Sequence, residues 1–162
     1  MKTCVFAGSF DPPTVGHQSV IETALKIFDG VTVAVMVNTD KKYFFSEEER
    51  LALLKKLYAG NGRVKVISFD GATVDLLKRE NTPFYVRGVR DAIDFDYENR
   101  NHYASKQLMD GIISIYIPAE REDMFVSSTL VRNSVKFKKD YERYIPEKIK
   151  EDVKKLLEDK DV

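Results

Sequence analysis

The segment from Gly8 to His17 combines glycines, a serine and a histidine immediately before a helix-like stretch. Gly8 allows the backbone to approach a ligand closely, and Ser9 offers a hydroxyl group. The unpaired N–H groups at the start of a helix attract phosphate, and His17 in the first turn can add a hydrogen bond. This pattern indicates a phosphate site, although a tight turn with a helix-capping imidazole has the same residues.

Three further segments add cations and hydroxyl groups. Lys41 and Lys42 follow a second strand-like run, and Arg87-Gly88-Val89-Arg90 follows a fourth. Arginine binds phosphate through two N–H groups at once. The triplet 127–129 puts three hydroxyls before a later helix, where capping needs only one. Solvated lysines in a polar loop remain the alternative for Lys41 and Lys42.

The elements that must position these residues alternate along the chain. The predicted strands cover 2–7, 31–37, 64–69, 84–86 and 112–117. The predicted helices cover 16–28, 46–57, 72–79, 94–109, 127–135 and 146–158. Such repeats imply right-handed crossovers and a parallel sheet with helices on both faces. We therefore predict one α/β domain over 1–162, a Rossmann-like doubly wound parallel sheet of about five strands with a C-terminal helix.

In such a sheet, ligands bind at the carboxyl ends of the strands. The side chains expected to meet there are His17, Lys41, Arg87, Arg90 and the hydroxyls of 127–129. No covalent nucleophile is evident, because Cys4 falls inside a strand, and Cys4, His17 and His102 lack the spacing of metal ligands. The set favours phosphoryl or nucleotidyl transfer, in which protein cations and Mg²⁺ stabilise an in-line transition state.

Composition excludes several classes of protein. The 162 residues carry 26 basic and 26 acidic side chains, so the net charge is zero. The chain therefore lacks the positive charge excess that is typical of nucleic-acid-binding proteins. No uncharged apolar run approaches the ~18 residues of a membrane span, and the first residues do not resemble a signal peptide. One cysteine excludes an internal disulfide and fits a reducing compartment. We expect a cytoplasmic protein with neither nucleic acid nor membrane as partner.

The motifs together resemble a known family. Gly8-Ser9-Phe10-Asp11-Pro12 with Thr14-Val15-Gly16-His17 resembles the T/HxGH signature of a nucleotidyltransferase superfamily. Further segments keep the order and spacing of the bacterial phosphopantetheine adenylyltransferases over nearly the whole chain. These segments are 41–42, 46–50, 87–90, 94–98 and 126–132.

The resemblance implies a reaction of coenzyme A biosynthesis in which ATP and 4′-phosphopantetheine give dephospho-coenzyme A and pyrophosphate without a covalent enzyme intermediate. Mg²⁺ would be bound mainly through the ATP phosphates, and the chain would form a homohexamer. The implied catalytic residues are His17, Lys41 and Arg90. The implied ATP contacts are Ser9, Phe10, His17, Gly88, Val89, Arg90, Glu98, Asp123, Met124, Phe125, Val126, Ser127, Ser128 and Thr129. The implied contacts to 4′-phosphopantetheine are Ser9, Lys41, Thr73 and Arg87.

Alternatives stay open. The same fold serves other phosphorylated acceptors, such as nicotinate or nicotinamide mononucleotide, and a nucleotide-sensing module would bind without turnover. Asp94, Asp96 and Glu98 could suggest a cation site, but a solvated first helical turn is the expectation. The amphipathic tail from 146 to 158 is expected to cover the domain's own core rather than a partner.

Overall fold

The computed structural model describes residues 1–38 and 40–160, in which five parallel strands alternate with helices. The last two residues of the predicted domain, 161 and 162, lie outside the described part. The strands are β1 (Thr3–Gly8), β2 (Gly30–Val37), β3 (Val64–Asp70), β4 (Phe84–Val89) and β5 (Ile113–Pro118). The α-helices are α1 (Val15–Ile27), α2 (Glu47–Leu57), α3 (Thr73–Arg79), α4 (Ala92–Lys106), α5 (Ser128–Lys136) and α6 (Lys150–Glu158).

The strand order β3-β2-β1-β4-β5 confirms the doubly wound, Rossmann-like sheet. The order reverses between β1 and β4, which pair only through Val5 with Tyr85 and Phe6 with Val86. Beyond this short ladder, β1 continues along β2 to Gly8 and β4 continues along β5 to Val89. The two strands therefore separate at their carboxyl ends, and a crevice opens at the point where such sheets bind ligands.

The predicted end of β4 at residue 86 is wrong. Pairing with β5 extends the strand to Val89, so Arg87 and Gly88 lie within it and Arg90 follows it. Strands alternate the direction of their side chains, so Arg87 and Gly88 face opposite sides of the sheet. Arg87 therefore projects from a face of the sheet, whereas Arg90 lies just beyond the carboxyl end of β4.

Helices cover both faces of the sheet, as the alternation of strands and helices in the sequence predicts. On one face Phe6 and Val33 pack in a cluster with Ile21 of α1. On the other face Val5 and Ala34 belong to a cluster with the leucines of α3 and Ile112. The strands β1 and β2 are thereby fixed from both sides, and the loops that follow them have a rigid base.

The C-terminal segment covers the domain's own core, as expected. Ile149, Val153 and Leu157 are buried in a cluster with Leu53 of α2 and Val131 of α5. The regular helix begins at Lys150 rather than at residue 146, because Glu147–Ile149 forms a tighter 3-10 turn. Among the described residues, no helix is long and apolar enough to cross a membrane.

Candidate active site

A cavity of about 260 Å³ lies at the carboxyl ends of β1 and β4. Its walls come from the loop after β1, the first turn of α1, the end of β4, the start of α4 and the segment before α5. The predicted residues that line it are Ser9, Phe10, His17, Arg87, Gly88, Val89, Arg90, Glu98, Asp123, Val126, Ser127 and Ser128. The fold thus brings together segments more than 100 residues apart in the sequence.

Three of the predicted ATP contacts do not line this cavity. Met124 and Phe125 precede α5 with their side chains exposed to solvent. Thr129 accepts a hydrogen bond from Nη2 of Arg132 at 3.0 Å. Lys41 is exposed as well, but its Nζ lies 3.5 Å from Oγ of Ser9 at the cavity's edge.

His17 is held by a capping box at the start of α1. The backbone N–H of Thr14 donates to Nδ1 of His17 at 3.1 Å, and Oγ1 of Thr14 accepts from the His17 N–H at 3.4 Å. Because Nδ1 accepts a hydrogen bond, the proton of the neutral ring is on Nε2. The ring also packs edge-on against Phe10, with centroids 4.9 Å apart. His17 is therefore an oriented hydrogen-bond donor in the cavity wall.

Burial and the neighbouring guanidinium groups of Arg87 and Arg90 lower the pKa of His17 to about 4. At neutral pH the ring is uncharged, and its role does not depend on taking up a proton. Protonation of Nδ1 would also place its hydrogen against the Thr14 N–H. The geometry and the electrostatics thus favour the same tautomer.

This lowered pKa predicts a loss of stability in acid. Unfolding returns the pKa of His17 from about 4 to its ordinary 6.5. Between these values the unfolded chain binds a proton that the folded chain does not, so the free energy of unfolding falls as the pH falls. Thermal midpoints measured from pH 7 to pH 4.5 should decrease more steeply for the wild type than for His17→Gln, in which the group cannot titrate. Parallel curves would contradict the assignment.

Arg87 forms a buried pair with Glu98 between β4 and α4. Its Nη2 donates to Oε1 of Glu98, and its Nη1 donates to the carbonyl of Ala7 at 2.6 Å and to the hydroxyl of Tyr85 at 3.1 Å. Its Nε is buried and has no hydrogen-bond partner in the part of the chain that the structure describes. Glu98 is buried, so the expectation of a solvated acidic turn is wrong for this residue.

Arg90 is oriented by Asp94, one helical turn further along the chain. Its Nε and Nη2 donate to the two carboxylate oxygens at 2.7 and 3.1 Å, and its backbone N–H donates to Oδ2 at 3.2 Å. The hydrogen bonds from Arg90 hold the pKa of Asp94 below its usual range. The guanidinium is thus fixed at the cavity wall while remaining partly exposed.

A second cavity of about 300 Å³ lies beside the first. Thr73 at the start of α3, Tyr97 and His102 contribute to its lining. Arg87 and Glu98 line both cavities. The ion pair therefore lies at the boundary between the two cavities.

Gly88 is required by packing. A Cβ atom at this position would lie 2.7 Å from Cγ2 of Val20 on α1, closer than side chains tolerate. The absence of a side chain lets α1 approach β4, and this approach brings His17 to the same cavity as Arg87. The close packing of α1 against β4 therefore requires glycine at position 88.

The hydroxyl triplet has three different partners. Ser127 caps α5 by accepting from the N–H of Leu130 at 3.0 Å. Ser128 donates to the carbonyl of Pro12 at 2.8 Å and so ties α5 to the loop after β1. Of the three hydroxyl residues predicted to meet at this edge of the sheet, only Ser127 and Ser128 line the cavity.

Comparison with known proteins identifies the family of the chain. The Cytidylyltransferase-like family model matches residues 5–134. Phosphopantetheine adenylyltransferase of Christiangramia forsetii is 39% identical over 93% of this chain and 99% of its own length. The Flavobacterium johnsoniae protein of the same name is 34% identical over 93% and 98%. The chain belongs to the phosphopantetheine adenylyltransferase family.

The fold is shared more widely. Nicotinic acid mononucleotide adenylyltransferase of Plasmodium falciparum, solved in complex with NaAD, is similar with a TM-score of 0.65. That similarity covers 98% of each chain at 21% identity, so it concerns the fold alone. The assignment to the phosphopantetheine adenylyltransferase family rests on the curated relatives.

Two buried residues of this family member escaped the sequence analysis as parts of the site. The carboxylate of Asp11 accepts from the backbone N–H groups of Phe44 and Phe45 at 2.9 and 2.8 Å. The guanidinium of Arg50 donates through Nη1 to the carbonyl of Ser9 at 2.7 Å. Both residues lie in motifs that the family resemblance rests on, which is the only sign of their importance in the sequence. Their roles could not be predicted, because their hydrogen-bond partners lie more than 30 residues away in the sequence.

Proposed function

We propose that the chain transfers the adenylyl group of ATP to 4′-phosphopantetheine, which gives dephospho-coenzyme A and pyrophosphate. The observation that carries this proposal is the pair of adjacent cavities that share Arg87 and Glu98. Two adjoining ligand spaces, with the guanidinium of Arg87 between them, suit direct transfer of a phosphorylated group from one ligand to the other. Relatives named phosphopantetheine adenylyltransferase over nearly their whole length support the choice of acceptor.

ATP occupies the cavity at the carboxyl ends of β1 and β4. The start of α1 and the oriented guanidinium of Arg90 bind its phosphates, while Glu98 accepts a hydrogen bond from the nucleoside. Ser9, Phe10, Val89 and the segment 123–128 enclose the nucleotide, with Met124, Phe125 and Thr129 at its outer side. Phe10 is only 1% exposed, so it supports the cavity wall more than it contacts the ligand.

4′-Phosphopantetheine binds in the second cavity, with its phosphate toward the boundary. Arg87 lines this cavity and contributes its guanidinium charge to the phosphate, and Lys41 approaches from the rim beside Ser9. Thr73 lies further along the path of the acceptor.

The transfer is an in-line displacement. An oxygen of the acceptor phosphate forms a new bond to the α-phosphorus, while the bond from that phosphorus to the pyrophosphate oxygen breaks. The acceptor phosphate is already anionic at neutral pH, so the step needs no general base and no covalent enzyme intermediate. His17 donates its Nε2 proton as a hydrogen bond, and Arg90 and Lys41 neutralise the charge that spreads over the phosphates.

Mg²⁺ would be held mainly by the ATP phosphates. Among the described residues, no three His, Cys, Asp or Glu side chains are grouped to hold a metal ion. Asp94 and Glu98 in the cavity are engaged by arginines, so the wall presents mostly cations and hydrogen-bond donors. That donor set fits a metal carried by phosphate oxygens and water, as Mg²⁺ prefers. When bound, the ion neutralises phosphate charge and stabilises the leaving pyrophosphate.

The protein acts as a cytoplasmic homo-oligomer, and the family resemblance favours a hexamer. Glu98 is the only buried residue of the 15 in α4, and Ile93, Tyr97 and Tyr103 on that helix are 80, 64 and 60% exposed. Large apolar side chains exposed along one element mark an interface.

Light scattering after size-exclusion chromatography should give six times the 18.6 kDa chain mass for the wild type. Ile93→Glu should give smaller species, because a charge would be buried in the interface, whereas the exposed control Lys55→Glu should not. A monomeric wild type would refute the oligomer, and an unchanged Ile93→Glu would place the interface elsewhere.

The deciding experiment is pyrophosphate release with ATP or CTP, tested against 4′-phosphopantetheine, nicotinamide mononucleotide and glycerol 3-phosphate. A His17→Ala preparation made in parallel controls for contaminating host enzyme. Turnover restricted to ATP with 4′-phosphopantetheine supports the proposal. Turnover with another acceptor keeps the mechanism and removes the substrate assignment, and ATP binding without turnover favours a sensing module.

A further inference from the structure

Arg50, in the first half of α2, has an unusual environment for a guanidinium group. The residue is only 1% exposed, and no carboxylate of the described residues lies within 4 Å of it. Its Nη1 donates to the carbonyl of Ser9 at 2.7 Å and its Nε to the carbonyl of Ser46 at 3.2 Å. Its planar group lies 3.9 Å from the centroid of the Tyr43 ring.

Stability alone does not account for such a residue. Burying a charge costs free energy unless it is paired, and well-packed apolar residues often replace buried ionic groups without loss. Here two carbonyls and an aromatic face offset part of that cost. A methionine of similar length could fill the same space, but it could not donate to the Ser9 carbonyl while a planar group stacks on the Tyr43 ring.

The groups that Arg50 holds belong to two different loops at the cavity. Ser9 follows β1, whereas Tyr43 belongs to the loop that carries Lys41. In the same loops, Nζ of Lys41 lies 3.5 Å from Oγ of Ser9 and 5.7 Å from the centroid of the Tyr43 ring. Asp11 connects the two loops a second time, through the N–H groups of residues 44 and 45.

We propose that Arg50 is a positioning residue that sets the distance between Ser9 and Lys41, and thereby holds the acceptor phosphate for attack. Arg50 itself lines neither cavity, so it acts through these two residues. The inference rests on the proposed function, in which Ser9 and Lys41 contact the phosphate of the acceptor. Ser9 also lines the nucleotide cavity, but most contacts to ATP come from other segments, so the effect falls mainly on the acceptor.

Arg50→Lys tests the proposal because it keeps the charge and removes the planar fork. One ammonium group cannot bind the Ser9 and Ser46 carbonyls and stack on Tyr43 with the same geometry. The kcat/KM for 4′-phosphopantetheine should fall roughly 10- to 100-fold, since misplacement by about 1 Å has effects of that size. The KM for ATP should stay within about twofold of the wild type, because all nucleotide contacts other than Ser9 are retained.

Arg63→Lys is the control for the loss of hydrogen bonds from a guanidinium to backbone carbonyls, at an exposed position. Arg63 likewise donates to backbone carbonyls, those of Asp29 at 3.0 Å and Phe28 at 2.7 Å, but it lies at the other end of the strands, away from the cavity. Both variants should lower the thermal midpoint, and only Arg50→Lys should change the kinetic constants. A merely structural Arg50 would behave as Arg63 does, with kinetics of the wild type.

Tyr43→Leu serves as the second variant, because it retains the hydrogen bond from Arg50 to Ser9 and keeps a partly exposed position apolar. Tyr43→Leu should also lower the kcat/KM for the acceptor, but by less than Arg50→Lys does. The KM for ATP should again change little. Wild-type acceptor kinetics in either soluble variant, or equal effects on both substrates, would overturn the proposal. The turnover of the wild type is measured first. If the wild type uses another acceptor, only the substrate assignment is refuted, and the kinetics of Arg50→Lys and the wild type are then compared with that acceptor. No turnover with any acceptor overturns both.

Discussion

His17→Ala is expected to lower kcat roughly 100- to 1,000-fold, the effect of removing one oriented donor to a developing oxyanion. The Thr14 N–H fixes Nδ1 as an acceptor, so Nε2 carries the proton that the variant loses. The charge on the phosphate oxygens increases as the α-phosphorus is attacked, so this hydrogen bond is strongest in the transition state. Titration calorimetry should find ATP affinity changed by far less than kcat.

His17→Gln separates donation from helix capping. Glutamine suits the third position of a capping box, where its oxygen can accept from the Thr14 N–H and its amide can still donate. It should keep the thermal midpoint near the wild-type value at neutral pH and recover part of the lost kcat. Equal losses of kcat and ATP affinity in His17→Ala would instead indicate a ground-state contact without a role in the transition state.

The order of strands and helices was predictable because each element carries a local signal. The buried run 31–37, the Ser46–Glu49 capping box and the apolar face of the tail all form the predicted elements. The end of β4 was not predictable, because Val89 is a strand residue only through its pairing with Pro118 of β5. Sequence periodicity contains no information on such a non-local partner.

The same distinction applies to the site. His17 and Arg90 could be anticipated because a residue near the end of a strand or the start of a helix is placed by local structure. The tautomer of His17 follows from its local capping box with Thr14, whereas the burial of Glu98 depends on tertiary contacts, so Glu98 was expected to be solvated. Arg50 was missed for the same reason: its hydrogen bond to Ser9 spans 41 residues, and its position suggests an ordinary surface cation of a helix.

Arg87→Ala is expected to have the second large effect, on both stability and acceptor binding. The variant leaves Glu98 buried without its partner, and such a loss destabilises proteins by about 3–5 kcal/mol. It also removes the guanidinium charge proposed to attract the acceptor phosphate, so the KM for 4′-phosphopantetheine should rise by a much larger factor than the KM for ATP. Urea unfolding and steady-state kinetics with each substrate varied in turn measure the two effects.

Combining Arg87→Ala with Glu98→Gln separates these effects. The double variant no longer carries the uncompensated charge, so it should recover much of the free energy of unfolding lost in Arg87→Ala. It should not recover the KM for the acceptor, because the phosphate still lacks its guanidinium partner. Recovery of acceptor binding together with stability would mean that Arg87 only supports the fold, and that the acceptor phosphate is bound by Lys41 and Ser9 without it.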